Sequence, residues 1–106
     1  LPSSLQPLAR PALEKQLRLE ANYPNPFNSE TAICYYVGTV PQRSTVPVEL
    51  IVYNALGQKV KVLVNANRHP GAYRVVFDAN RLSSGIYFYR LKAGNFVQTN
   101  KMVLLR

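Results

Sequence analysis

A chain of 106 residues with 47% hydrophobic and 17% charged side chains has room for one modest core and too much apolar content for general disorder. Seven tyrosines, four phenylalanines and no tryptophan favour strands over helices. The formal net charge of +8 sits in one half: residues 1–58 hold four basic and four acidic groups, residues 59–106 nine basic groups against Asp78.

No run of about 18 apolar residues suggests a spanning helix. The start Leu1-Pro2-Ser3-Ser4 lacks the basic, apolar and small-residue succession of a signal peptide, and it lacks an initiator Met. We therefore expect an excised fragment, so the missing leader at this end does not argue for the cytoplasm. Cys34, the single cysteine, has no internal disulfide partner, and within an apolar run it is expected to serve as a small buried hydrophobe.

In chain order, Pro2, Pro7 and Pro11 among Ser, Gln and Ala mark residues 1–16 as a linker, and residues 17–106 as the folded domain. A short helix is also expected over Leu8–Leu19, with Pro11 as its first residue. Residues 31–37 alternate Ile33, Tyr35 and Val37 with Ala32, Cys34 and Tyr36, so both faces are apolar and the strand should be covered on two sides or shielded by the linker. Over residues 46–53, Val48, Leu50 and Val52 share one face and belong to the core. Asn54-Ala55-Leu56-Gly57 closes a tight hairpin, Asn starting the turn and Gly taking a positive φ.

Residues 59–64 form the returning strand, with Lys59 and Lys61 wet and Val60 and Val62 dry. Residues 65–71 are expected as a loop. Alternation resumes at 72–77, with Tyr73, Val75 and Phe77 opposite Arg74 and Val76. After a crossover at 78–84, residues 85–91 place Tyr87, Tyr89 and Leu91 inward. Residues 93–95 then turn the chain into a last strand, 96–105, which should be a sheet edge. Short alternating segments separated by turns at brief intervals predict an all-β, antiparallel sandwich of about seven strands.

Catalytic and metal chemistry lack their components. His69, the one histidine, falls at a loop tip beside Pro70-Gly71. Asp78 is placed to cap the following loop in an Asx turn. Glu14, Glu20, Glu30, Glu49 and Asp78 are too scattered for a calcium loop, and zinc would need clustered Cys and His. We expect neither enzyme nor cofactor. The basic residues of the second half are interleaved with strand residues, which suits the wet face of a sheet. Contact with a phosphorylated or acidic surface is the alternative use, whereas nucleic acid would call for a recognition helix or a dense Arg/Lys cluster.

Tyr23-Pro24-Asn25-Pro26-Phe27-Asn28 is the most distinctive segment. Alternate prolines deny ladder hydrogen bonds and favour a stiff, extended strap, in which Tyr23 and Phe27 can plug one end of the sandwich and Asn25 and Asn28 can bond nearby backbone. Preceded by Asn22, and together with Val52-Tyr53-Asn54-Ala55-Leu56-Gly57-Gln58-Lys59-Val60, Leu82-Ser83-Ser84-Gly85-Ile86-Tyr87-Phe88-Tyr89-Arg90-Leu91 and Lys101-Met102-Val103-Leu104-Leu105-Arg106, it resembles, in order and spacing, the blocks of type A sorting domains of type IX secretion. Two departures stand out. Asn54 replaces the common Asp, and Ser29-Glu30 replaces a frequent Pro, which should loosen the start of the first long strand.

The resemblance implies an immunoglobulin-like fold and a cargo domain preceding it. It also implies passage through the periplasm, recognition by an outer-membrane translocon, and cleavage by a sortase-like peptidase, leaving the cargo secreted or joined to lipopolysaccharide at the cell surface. Tyr53, Gly57, Gly85, Tyr87, Leu91 and the segment from Lys101 through Met102, Val103 and Leu104 to Leu105 join the strap as expected sorting residues. Gly85 should accommodate an irregular dihedral at a strand start. The last strand, as an edge, could be read by strand addition, and the same edge or Cys34 offers a route to weak self-association. The alternatives are a structural or adhesive immunoglobulin-like module of the flagellar hook-cap kind and a carbohydrate-binding sandwich using exposed tyrosines.

Overall fold

The computed structural model describes residues 17–106, which form seven strands: β1 (Leu17–Leu19), β2 (Glu30–Val37), β3 (Val46–Asn54), β4 (Lys59–Arg68), β5 (Gly71–Asp78), β6 (Gly85–Ala93) and β7 (Phe96–Leu104). They make two antiparallel sheets, ordered β1-β2-β5 and β4-β3-β6-β7. The all-β sandwich expected from alternation is therefore the fold. The residues predicted to face inward do so: Ile33, Tyr35 and Val37 on β2, Val48, Leu50 and Val52 on β3, and Tyr87, Tyr89 and Leu91 on β6 are all buried in one core. Burial of this apolar surface, at about 25 cal/mol per Å², is the main force joining the two layers.

Several details depart from the sequence reading. The helix expected over Leu8–Leu19 fails at its described end, because Leu17–Leu19 pairs with Val37, Tyr36 and Tyr35 of β2. Pairing buries Leu19 and sets the Arg18 guanidinium 4.5 Å from the centre of the Tyr36 ring, gains that outweigh helix propensity. The rest of that helix and the linker 1–16 lie outside the described residues. The loop expected at 65–71 is shorter, since β4 continues to Arg68 by pairing Asn65–Arg68 with Val46–Glu49. Val62, expected to be dry, is 45% exposed. A register shift between Leu50 and Ile51 sets Val64 against Leu50 but Val62 against Ile51, so an extra residue resets the alternation. Cys34 is a half-buried free thiol on the outer face of β2. The start of β2 is not loosened, as Glu30 pairs with Asp78 and the Ser29 carbonyl accepts from Ala79 N at 2.8 Å.

Turn chemistry follows the residue types. Asn54 Oδ1 accepts from Leu56 N at 3.0 Å and Gln58 N at 2.9 Å, and Gly57 takes φ 82°, a region costly for other residues. Asp78 caps its loop as expected, accepting from Asn80 N at 3.0 Å.

One side of the sandwich is sewn by polar groups. The Tyr89 hydroxyl donates to the Glu20 carbonyl at 2.8 Å and accepts from Asn100 Nδ2 at 3.2 Å, while Gln98 Nε2 donates to the Leu19 carbonyl at 3.1 Å. Tyr89 is fully buried. Burial raises its phenol pKa above the ordinary 10.0, against the opposing effect of the Asn100 hydrogen bond. A raised folded-state value means that the stabilisation is complete below the unfolded pKa and is lost as pH rises through the folded one. Tyr89→Phe should therefore cost about 1 kcal/mol at neutral pH. In urea titrations the stability gap between the two proteins should narrow as pH rises beyond about 10, and a gap that widened would refute the assignment.

Candidate functional site

Four sequence-distant segments converge on one pole of the sandwich. The ends of β3, β5 and β7 and the starts of β2, β4 and β6 meet there: Asn54 registers with Tyr87, Gly85 with Leu104, and Glu30 with Asp78. The hairpin tip Asn54–Gly57, the segment 79–84, the strap and the residues following β7 close this pole.

The strap is latched at both of its ends. Tyr23 bridges Ala32, its N–H donating to the Ala32 carbonyl at 3.0 Å and its carbonyl accepting from Ala32 N at 2.9 Å. Four residues later Phe27 forms a parallel bridge to β7, its N–H donating to the Val103 carbonyl and its carbonyl accepting from Leu105 N, each at 2.9 Å. Between the bridges the path bends instead of running extended, with Tyr23-Pro24 and Asn25-Pro26 both cis. Proline suits this segment because Pro24 and Pro26 have no N–H to satisfy. The bend is fixed from within: Thr31 Oγ1 donates to the Pro24 carbonyl at 2.8 Å, and Asn22 Nδ2 donates to Thr31 Oγ1 at 3.0 Å and to the Pro24 carbonyl at 3.2 Å. Asn25 Oδ1 accepts from Val103 N at 3.0 Å, adding a side-chain rung beside the Phe27 bridge.

Phe27 is the plug, at 2% exposure and edge-on to Phe77 with ring centres 6.1 Å apart. Tyr23, expected to share that work, is instead 81% exposed. The backbone bridge directs the strap's next inward position to Phe27 and leaves the tyrosine ring outside. Asn28 is also exposed and makes no side-chain hydrogen bond among the described residues. Arg106 closes the other flank. Its N–H donates to Ser84 Oγ and its Nε to the Leu82 carbonyl, both at 2.8 Å, and its terminal guanidinium nitrogen donates to the Ala79 carbonyl. The cation thereby supplies a donor to the Leu82 carbonyl and a second one to the Ala79 carbonyl, which also accepts from Leu82 N at 3.0 Å.

The expected sorting residues divide into two kinds. Phe27, Tyr87, Met102 and Leu104 are buried and hold the pole together, Tyr87 also donating to the Ser83 carbonyl at 2.8 Å. Gly57 and Gly85 shape it, Gly85 at φ 153° where the strand begins. Tyr23, Pro24, Asn25, Pro26 and Leu105 lie on its surface. Tyr53 and Val103 are half-buried and Lys101 is exposed, these three lying on the outer face of the larger sheet. Leu91 stands apart, buried in mid-sheet against Leu50 and Gln98. Sequence reasoning missed Thr31, and it placed Asn22, Leu56 and Arg106 within motif blocks without giving any of them a site role of its own. Leu56, 84% exposed at the hairpin tip, was signalled by an apolar residue inside a turn. With Tyr23, with Leu105 at 56% and with Ile86 at 44%, it gives the pole an apolar outer surface.

Among the described residues no group of three or more His, Cys, Asp or Glu side chains could hold a metal. The geometry offers a docking surface whose interior is sealed.

Phe27→Ala should destabilise the domain by about 3–5 kcal/mol, while Tyr23→Ala in the same motif should change stability by about 0.5 kcal/mol or less. Urea unfolding of the two variants checks this, and equal losses would contradict the division of labour. The family model described as "Secretion system C-terminal sorting domain" matches residues 21–105. No curated protein and no solved structure matches the chain.

Proposed function

The chain belongs to the family of secretion system C-terminal sorting domains, that of type IX secretion, and we propose that its polar cap and last strand are the address read by the outer-membrane translocon. The observation that carries this reading is the convergence of the motif segments. The strap, the Tyr53–Gly57 hairpin, the start of β6 and the Lys101–Arg106 segment are far apart in sequence. They meet at one pole that displays Tyr23, Leu56 and Leu105 to solvent. Exposed apolar residues grouped in this way characterise interaction sites.

Strand addition at β7 remains the natural mode of capture, within limits set by the latch. The outward-facing backbone of Val103 and Leu105 is already taken by Asn25 and Phe27. By strand alternation Val97, Thr99 and Lys101 present the remaining outward N–H and C=O groups. A partner can pair there directly, or along the whole strand once the strap lifts. The cargo precedes the domain, joined through residues 1–16, and a sortase-like peptidase cuts within that linker. The cargo then reaches the medium or is joined to lipopolysaccharide at the cell surface. The carbohydrate-binding alternative needs a planar row of exposed rings, yet Tyr35, Tyr87 and Tyr89 are buried and Tyr36, Tyr53 and Tyr73 half-buried.

A periplasmic reporter fused ahead of residue 1 should be exported by a bacterium with type IX secretion. Removing Lys101–Arg106 should hold it in the periplasm. Since that deletion also opens the core, Leu56→Ser with Leu105→Ser serves as the folded counterpart and should lower export several-fold with its unfolding midpoint unchanged. An intact fusion that stays periplasmic would overturn the export role, and full export of both variants would overturn the polar address.

A further inference from the structure

No described element covers the outer face of the four-stranded sheet, and its composition is unlike that of a merely solvated face. Along β6 it carries Ile86, Phe88, Arg90 and Lys92; along β7, Val97, Thr99, Lys101 and Val103; along β3, Glu49, Ile51 and Tyr53. The register places Phe88 between Tyr53 and Lys101, Arg90 between Ile51 and Thr99, and Lys92 between Glu49 and Val97. An apolar centre of Ile51, Tyr53 and Phe88, buried or half-buried, is thus bordered by exposed Arg90, Lys92 and Lys101, with exposed Lys59 across from Tyr53 on the β4 side. Among the described residues the one ion pair is Arg18–Glu20, on the other sheet. Even Glu49, directly across from Lys92, does not reach it. Three neighbouring cations without carboxylate partners repel one another, a cost that a complementary surface would remove.

We infer that this face docks on an acidic protein surface, through an apolar centre with Arg90, Lys92 and Lys101 on its rim. Aromatic residues at the centre and Arg nearby fit the composition of protein–protein contacts. A second copy of this chain is disfavoured, because a two-fold contact would set these cations against themselves. A lipid surface is disfavoured because Phe88 and Tyr53 lie within the face, leaving the separated aliphatic side chains of Val62, Ile86 and Val97 to project, with no exposed aromatic ring among them. Four strands about 4.8 Å apart and about 30 Å long give an area on the order of 500 Å², which suits a transient contact and falls below the usual 800 Å² per partner. The inference rests on the export reading for the partner's location in the envelope, but its test measures binding without export.

The full chain is titrated against outer-membrane vesicles from a bacterium with type IX secretion, against the same vesicles after protease treatment, and against protein-free liposomes of phosphatidylethanolamine and phosphatidylglycerol. Arg90→Glu, Lys92→Glu and Lys101→Glu together should weaken binding to intact vesicles by at least about tenfold, and more at low salt. Arg18→Glu, Arg43→Glu and Arg74→Glu carry the same charge change outside this face and outside the pole, and should leave binding near that of the parent. Arg90→Gln, Lys92→Gln and Lys101→Gln give an intermediate loss and guard against misfolding of the reversed variant. Equal losses in the two reversed sets would reduce the effect to net charge and overturn the inference. Binding that survives protease treatment or is matched by the liposomes would assign the face to lipid and overturn it as well. If the reporter fusion is not exported while the face-specific loss stands, the export role fails and the docking face is retained.

Discussion

The backbone bridge by which Phe27 sits beside β7, donating to Val103 and accepting from Leu105, is the constraint on which the rest of the architecture depends. It lays an irregular segment from the start of the domain along the edge of its last strand, so the two sheets are tied across the end where hydrophobic packing alone would leave the core open. The Phe27 ring then fills that end against Phe77. On the adjoining side, the Tyr89, Asn100 and Gln98 contacts with Leu19 and Glu20 continue the same seam. An edge strand is an invitation to foreign pairing, and the strap withdraws part of that invitation while leaving the Val97–Lys101 stretch open.

Much of this architecture can be read from the sequence, because period-two alternation and Asn/Gly turn chemistry are local. The inward sets on β2, β3 and β6, the Asn54–Gly57 hairpin and the Asp78 cap all follow from residues within a few positions of one another. What failed depended on distant partners. Leu17–Leu19 is a strand because Tyr35–Val37 lies beside it, and Val62 is exposed because of a bulge that its own segment does not announce. The division of labour in the strap was half legible. An aromatic at each end pointed to plugs, but only the bridge geometry decides that Phe27 enters the core and Tyr23 remains outside. Arg106 could not be assigned to the carbonyls of Ala79 and Leu82 without knowing that the 79–84 crossover passes under the end of β7.

The domain presents two surfaces of different character. Its latched pole is apolar, built on proline, glycine and buried aromatic anchors; the outer face of the larger sheet is cationic around an aromatic centre. In the reading proposed above, these surfaces are two kinds of handle for a translocation machinery, one of shape and one of charge. Part of the basic excess of residues 59–106 thereby acquires a location on the fold, with Lys59, Arg90, Lys92 and Lys101 on one sheet face and Arg106 engaged with the carbonyls of the crossover.

The central claim is that the latched pole faces the export machinery. It is tested most directly by placing a photocrosslinking residue at Leu56 or at Asn67, at opposite ends of the sandwich, in a fusion undergoing export. Adducts with the outer-membrane translocon at Leu56 and none at Asn67 are the predicted result. Adducts at Asn67 with none at Leu56 would contradict it.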